Sequence, residues 1–237
     1  MKNTILAAGV ALASLVGASA NATTITLSTF DISNFNTETA GGIVQDFEGY
    51  SGVWDPMTIT NVGKFTSTGG TGNGSVCNNN VSGGNCKALF IQEGADSGQG
   101  NLVPLNGKKA LSSNDTNGIF WDVFNAGNSL FSKIVFAVRD AADIGGTVFT
   151  IEAKNGGVTE ATTITAGENN EGRLVVIDLG GDFSSATVSM FNNKVNDGFT
   201  IDGATTVSAV PVPAALPLLL AGLGGLGLMR RRQRKAA

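Results

Sequence analysis

The sequence contains no histidine. That absence removes the Ser-His-Asp and Cys-His nucleophilic mechanisms and the common His-based zinc sites. Cysteine is nearly absent too: Cys77 and Cys86 are the only two, and their spacing is not C-x-x-C, which argues against a catalytic dithiol. Charged residues make up only 14% of the chain. There is no internal repeat of fixed period, which argues against a solenoid or propeller. No stretch carries a sustained helical apolar stripe, so a helical bundle is not expected.

What is present divides the chain into three. Six of the fifteen basic residues lie in the two ends, namely Lys2, Arg230, Arg231, Arg232, Arg234 and Lys235, and none of the nineteen acidic residues does. The middle, residues 23–209, therefore holds nine basic against nineteen acidic residues, a net charge of −10 rather than the −4 of the whole chain. Nucleic acid and anionic membrane surfaces attract positive patches, so neither is expected as a partner of the middle domain. A divalent cation such as Ca²⁺ remains compatible with this charge.

Residues 1–22 have the three parts of an export signal. Lys2 opens it, the apolar run Ile5–Val16 is too short to span a bilayer stably, and Ala20 and Ala22 stand at −3 and −1 of a cleavage site. Signal peptidase is expected to cut after Ala22. In an exported protein Cys77 and Cys86 are expected to form a disulfide, a staple on a Gly/Asn-rich loop. Closing so short a ring stabilises the fold by roughly 2–3 kcal/mol at most.

At the other end, Val210–Met229 carries no charge across 20 residues. As a helix this run would measure about 30 Å, the thickness of a bilayer core. Pro211 and Pro213 keep its start extended and Pro217 is best tolerated in a first helical turn, so the transmembrane helix is placed at about 214–229. The basic cluster Arg230, Arg231, Arg232, Arg234 and Lys235 then stays on the cytoplasmic side and puts the middle domain outside. The glycines of the run offer no pair four residues apart, so G-x-x-x-G dimerisation is not expected.

The order Val210-Pro211-Val212-Pro213-Ala214, apolar helix, terminal Arg cluster resembles the PEP-CTERM class of sorting signals. The nearest variant of that class is named for a Val-Pro-Leu-Pro-Ala motif, from which this chain departs by Val212 in place of Leu. The resemblance covers residues 210–237. It implies that an exosortase-type membrane transpeptidase recognises the motif and removes the tail. It also implies an exopolysaccharide-making Gram-negative source, and a mature form at the cell surface or in the extracellular matrix.

The middle domain reads as all-β. Short strand-like segments bounded by turn residues fall near Ile25–Ile32, Ile43–Phe47, Thr58–Thr66, Lys87–Gln92, Gly118–Phe124, Leu130–Arg139, Thr147–Ala153, Arg173–Leu179, Thr187–Phe191 and Gly198–Val207. Ile134, Phe136 and Val138 share one face of a strand, and Phe199 and Ile201 oppose Thr200 and Asp202. Ten such segments predict an antiparallel β-sandwich of jelly-roll type, with the domain at residues 23–209. Asp46-Phe47-Glu48-Gly49 and Asp197-Gly198-Phe199-Thr200-Ile201-Asp202-Gly203 resemble the first and last strands of carbohydrate-binding-type jelly rolls. That second resemblance implies that the two ends of the domain pair side by side, and that the domain binds rather than catalyses.

Candidate site residues are few. Asp140 and Asp143, beside Gly145 and Gly146, have the oxygen ligands and bendable backbone of a calcium loop; a solvated turn is the plainer reading. Asp178 and Asp182 flank Gly180-Gly181 in the same way. Tyr50 and Trp54 sit among turn residues, where an exposed aromatic could stack on a sugar ring or pack over the sandwich edge. Trp121 is expected in the core, because Ile119-Phe120-Trp121 is apolar on both faces. The function expected is therefore non-enzymatic: an adhesin, matrix scaffold or weak glycan binder associated with exopolysaccharide or biofilm. The rival is a secreted glycan-cleaving enzyme using two of the acids. One measurement checks the targeting and redox expectations together. Surface-released protein, alkylated without reductant, is expected to show an intact mass lacking residues 1–22 and the tail beyond the 210–214 motif, with both thiols unmodified. A mass running through Ala237 would make the tail a plain anchor.

Overall fold

The computed structural model describes residues 22–68, 88–94, 107–113, 116–143, 145–165, 167–168, 170–194 and 198–208. Both cysteines, Ala20, the sorting motif and the basic cluster lie outside the described residues. Among the described residues no helix is long and apolar enough to cross a membrane.

The elements are β1 (Thr24–Thr29), α1 (Ile32–Glu38), β2 (Ile43–Gln45), β3 (Gly52–Val53), β4 (Gly63–Ser67), β5 (Phe90–Glu93), β6 (Lys109–Ser112), β7 (Gly118–Val123), β8 (Phe131–Arg139), β9 (Val148–Asn155), β10 (Val158–Thr165), β11 (Gly172–Phe183), β12 (Ala186–Asn192) and β13 (Thr200–Val207). They form two antiparallel sheets. The first runs β1-β11-β8-β13-β6-β5-β3, with β2 also paired to β13; the second runs β10-β9-β12-β7-β4. The chain is an all-β sandwich, as the alternation predicts.

Alternation in the strands decides what lies between the sheets. Ile134, Phe136 and Val138 of β8 and Ile201 of β13 enter the core from one side; Ile119, Trp121 and Val123 of β7 and Val188 and Met190 of β12 enter from the other. Aromatic rings bridge the layers: Trp121 meets Phe136 edge-on at 6.1 Å, and Phe149 meets Phe199 edge-on at 4.7 Å. The Trp121 indole N–H reaches the Val62 carbonyl at 2.9 Å, which allows the ring to be fully buried.

The first sheet is covered on its outer side as well. Val135 and Ala137, on the opposite face of β8, pack with Phe35 of α1 and with Leu174 and Val207. The helix was not expected from the sequence, since its seven residues hold only Ile32 and Phe35 as apolar positions. Its start is nonetheless specified: Asp31 caps it, its carboxylate accepting from the Ser33 and Asn34 N–H groups at 2.9 and 3.0 Å.

The pairing of the two ends implied by the jelly-roll resemblance is present only in part: β2 meets the last strand, but Asp46–Gly49 follow β2 outside any strand, and the first strand, β1, pairs β11. Ile43, Val44 and Gln45 of β2 face Thr206, Thr205 and Ala204 of β13. A bulge between Asp202 and Thr205 lets β6 pair the start of β13 and β2 its end, and Gly203 supplies the left-handed residue there (φ 61°).

Strands β3, β6 and β10 were not expected. The β4 segment starts later than the run from Thr58, because Thr60 folds back to bridge Gly63. Truncation of an inter-sheet ring tests the core: Phe199→Ala is expected to cost about 3–5 kcal/mol in denaturant unfolding. A cost under about 1 kcal/mol, the range of surface changes, would mean the ring is not packed between the sheets.

Candidate functional site

The register of the second sheet fixes which side chains face outward. Trp121, Met190, Ile151 and Phe65 point into the core. Their strand neighbours must point away, since successive side chains alternate. Phe120 pairs across to Ser189 on one side and Thr66 on the other, and Ser189 pairs on to Glu152. One row along, Phe191 pairs to Gly118 and to Thr150; a further row holds Thr187, Asp122, Lys154 and Lys64. The outer face of this sheet is thus hydroxyls and charges around two phenyl rings on adjacent strands, Phe120 and Phe191, each only partly covered. Diagonal neighbours of this kind lie about 7–8 Å apart, within reach of one ligand.

Gly118 is needed beneath Phe191. A Cβ there would lie 2.0 Å from the Met190 carbonyl oxygen and 2.8 Å from the Phe191 Cβ. The missing side chain lets β12 approach β7 closely at this point.

Among the described residues, two clefts on this face stand out. The larger, about 450 Å³, is lined by Thr68, Asn117, Glu152, Ser189, Phe191, Asn192 and Asn193. The smaller, about 310 Å³, is lined by Asp122, Lys154, Asn155, Gly156, Gly157, Thr159, Ser185, Ala186 and Thr187. Glu152 of one and Lys154 of the other form an ion pair at 2.8 Å, so the clefts meet over β9. From Phe191 to Thr187 the face extends about 13 Å along β12. Side chains of the larger cleft are held by local bonds. Asn193 Oδ1 accepts from the Val148 N–H at 2.9 Å, and the Asn192 N–H donates to the Asn117 carbonyl at 3.1 Å. A covered Thr68 hydroxyl has no hydrogen-bond partner among the described residues.

Chemically, such a surface can take a ligand with an apolar face and many hydroxyls at its rim. The rings supply area, while the amides, hydroxyls and Glu152 both donate and accept. A third cleft, about 240 Å³, lies by β3, β5 and β6 against Gln92 and Lys109. The Lys109 ammonium is already given to the Glu48 and Tyr50 carbonyls at 3.2 and 2.8 Å.

The residues singled out from sequence fall elsewhere. Trp54 is 3% exposed, its indole N–H donated to the Phe65 carbonyl at 2.9 Å and its ring edge-on to Phe47 and Phe65. It has no face for a sugar, which corrects the stacking role proposed for it; the alternative, packing, holds. Tyr50 is partly covered and edge-on to Trp54 at 5.0 Å, part of the same cluster. Trp121 is in the core as expected.

Asp140 is 5% exposed, in the left-handed region (φ 64°), and its Oδ1 accepts from the Asn170 N–H at 2.8 Å. It ties the turn after β8 to the segment leading into β11. Asp143 is partly buried nearby in sequence. Asp178 and Asp182 are exposed, and Asp178 Oδ1 accepts from the Gly180 N–H at 2.8 Å, closing its own turn. Among the described residues no three carboxylate, histidine or cysteine side chains converge as a metal centre. Asp140 and Asp178 thus each brace a turn by accepting from a backbone N–H.

Phe120 and Phe191 were missed as site residues. The signal available was alternation: with Trp121 taken inward, Phe120 has to face outward.

No protein-family model matches the chain, and no curated protein does. Among solved structures, the chain is similar to the CBM22-1 and GH10 modules of a Clostridium thermocellum endo-1,4-β-D-xylanase complexed with xylohexaose, at 12% identity and a TM-score of 0.31. That match covers 71% of this chain but only 28% of the xylanase chain. It is also similar to a CBM35 from Cellvibrio japonicus, at 15% identity and a TM-score of 0.30, covering 72% of this chain and 95% of that one. Likeness at this level bears on neither ligand nor activity.

The turn assignment makes a thermal prediction. An ion that binds only the folded state raises its melting temperature. The melting temperature is expected to be the same in excess chelator and in millimolar calcium, followed by differential scanning fluorimetry. A rise with calcium would mark a cation site in the folded domain.

Proposed function

We propose that this chain is an exported, tail-sorted surface protein whose sandwich holds a glycan on the outer face of its five-stranded sheet. The observation that carries the binding reading is the diagonal placement of Phe120 and Phe191 on one outer face, with Phe191 lining the larger of two clefts that are rich in amide and hydroxyl groups. Sugar rings present C–H faces that pack on aromatic rings and equatorial hydroxyls that need both donors and acceptors. The face offers both within one plane, and its length suits a chain of sugars rather than a single one.

Export and sorting rest on the two ends of the sequence. The signal peptide and the Val210–Ala214 motif, followed by apolar run and Arg cluster, support passage through signal peptidase and an exosortase-type enzyme. Thr24 opens β1 directly after the expected cut at Ala22, so the mature chain would begin at the sandwich itself. A matrix of exopolysaccharide outside the cell is the glycan source this route meets. The role is adhesin or scaffold, held by many weak contacts.

Affinity electrophoresis through gels containing the producing cell's own exopolysaccharide tests the binding. The protein is expected to be retarded, and Phe191→Ala and Phe120→Ala to weaken binding by about tenfold or more each, as buried aromatic anchors do. Both positions are on the outer face, so the melting temperature should change little. Unretarded wild-type protein, or full retention in both variants, would remove the reading. New reducing ends in the same polysaccharide would make the chain a cleaving enzyme instead.

A further inference from the structure

Among the described residues, the large apolar side chains that stay exposed are Val53, Met57, Ile59, Leu130 and Val158. Three of them crowd one end of the sandwich. Val158 opens β10 opposite Asn155, the last residue of β9. Leu130 immediately precedes β8, whose first residue pairs Phe183 at the end of β11. Ile59 precedes Thr60, which bridges Gly63 opposite Val123, the last residue of β7. The loops of this end are tied together: the Ala126 N–H donates to the Asn61 carbonyl, and Thr206 Oγ1 to Asn125 Oδ1. Exposures there are 62% for Ile59, 51% for Leu130 and 50% for Val158, while Val53 pairs Phe90 toward the opposite end.

The chain leaves the sandwich at the same end. Val207, the last residue of β13, pairs Lys133 near the start of β8, and the Ser208 hydroxyl donates to the Leu130 carbonyl at 2.8 Å. Beyond Ser208 the sequence reaches the uncharged run at Val210 after one residue. Even fully extended, the stretch from Ser208 to Ala214 spans at most about 20 Å. A tail seated in a bilayer would therefore hold this end, and no other, against the lipid surface.

We propose that the strand-end face carrying Ile59, Leu130 and Val158 seats on the bilayer interface in the unprocessed protein. This rests on the reading of the tail as membrane-held. The partner is a zwitterionic lipid surface rather than an anionic one. Lys133 and Lys154 are paired to Glu38 and Glu152, and Asp178 and Asp182 add negative charge at that end. The short tether raises the local concentration of lipid, so apolar contacts too weak to bind vesicles alone become populated. Cutting the tail removes the tether, and the same contacts then no longer hold the domain.

Full-length protein reconstituted into phosphatidylcholine vesicles with brominated acyl chains tests this. Single Ile59→Trp, Leu130→Trp and Val158→Trp variants are compared with Thr165→Trp, at the far end of β10; native Trp54 and Trp121 are buried and give a constant background. Flotation reports tail insertion separately from seating. The expected result is flotation of all four, with loss of fluorescence at positions 59, 130 and 158 and none at 165. Flotation with the near-end tryptophans unquenched, or quenched no more than position 165, overturns the seating. Failure to float overturns the membrane-held tail, and the seating with it.

Discussion

Strand β13 is buried at all eight of its residues, Thr200–Val207, and the rest of the molecule is arranged around that fact. A strand with no exposed position must be paired along both edges and covered on both faces. Along one edge it meets β8, itself covered on its outer side by α1. Along the other edge it meets β6 and then β2, and the bulge at Gly203 lets two separate strands share one side. Phe199 and Ile201 then meet the second sheet. The last strand of the domain is thus central to its sheet, and anything attached to the C-terminus departs from the middle of the fold rather than from an edge.

Covering both faces of one sheet leaves the other free. Among the described residues no helix lies over the outer side of the second sheet, and its strands alternate cleanly, as antiparallel sheets with one wet face do. β12 shows the pattern most clearly: Val188 and Met190 go inward, Ser189 and Phe191 outward. A phenyl ring on such a face contributes nothing to the core. The same alternation that secures the fold therefore isolates the residues that have some other use.

Sequence alone conveyed the class of the fold because apolar alternation is a local signal, strong in β8 and β13. It missed β10 because Val-Thr-Glu-Ala-Thr-Thr-Ile-Thr is almost wholly exposed, so its only signature was the Gly156-Gly157 turn before it. It missed α1 because a single buried residue, Phe35, anchors a helix whose stability comes from the sheet beneath it. The site was less legible still. Trp54 looked like a binder because its neighbours are turn residues, yet a loop can drop a ring into the core when a carbonyl such as that of Phe65 is there to receive the indole N–H. Asp140 looked like a cation ligand because acids beside glycines serve both roles, and the sequence does not show that the Asn170 N–H would meet its carboxylate.

The placement of the two proposed surfaces makes them compatible. Strands run along the long direction of the sandwich, so its ends and its sheet faces are at right angles. An end seated on a bilayer would leave the five-stranded sheet standing upright, with Phe120 and Phe191 facing sideways, away from the lipid. The smaller cleft, with Ser185 and Gly156, lies at the tail end of that face; the larger, with Phe191 and Asn193, lies at the far end. A polymer could then be engaged while the tail is still uncut, the far cleft being the more accessible. On the proposed reading, release of the tail would then free a domain that already holds its ligand.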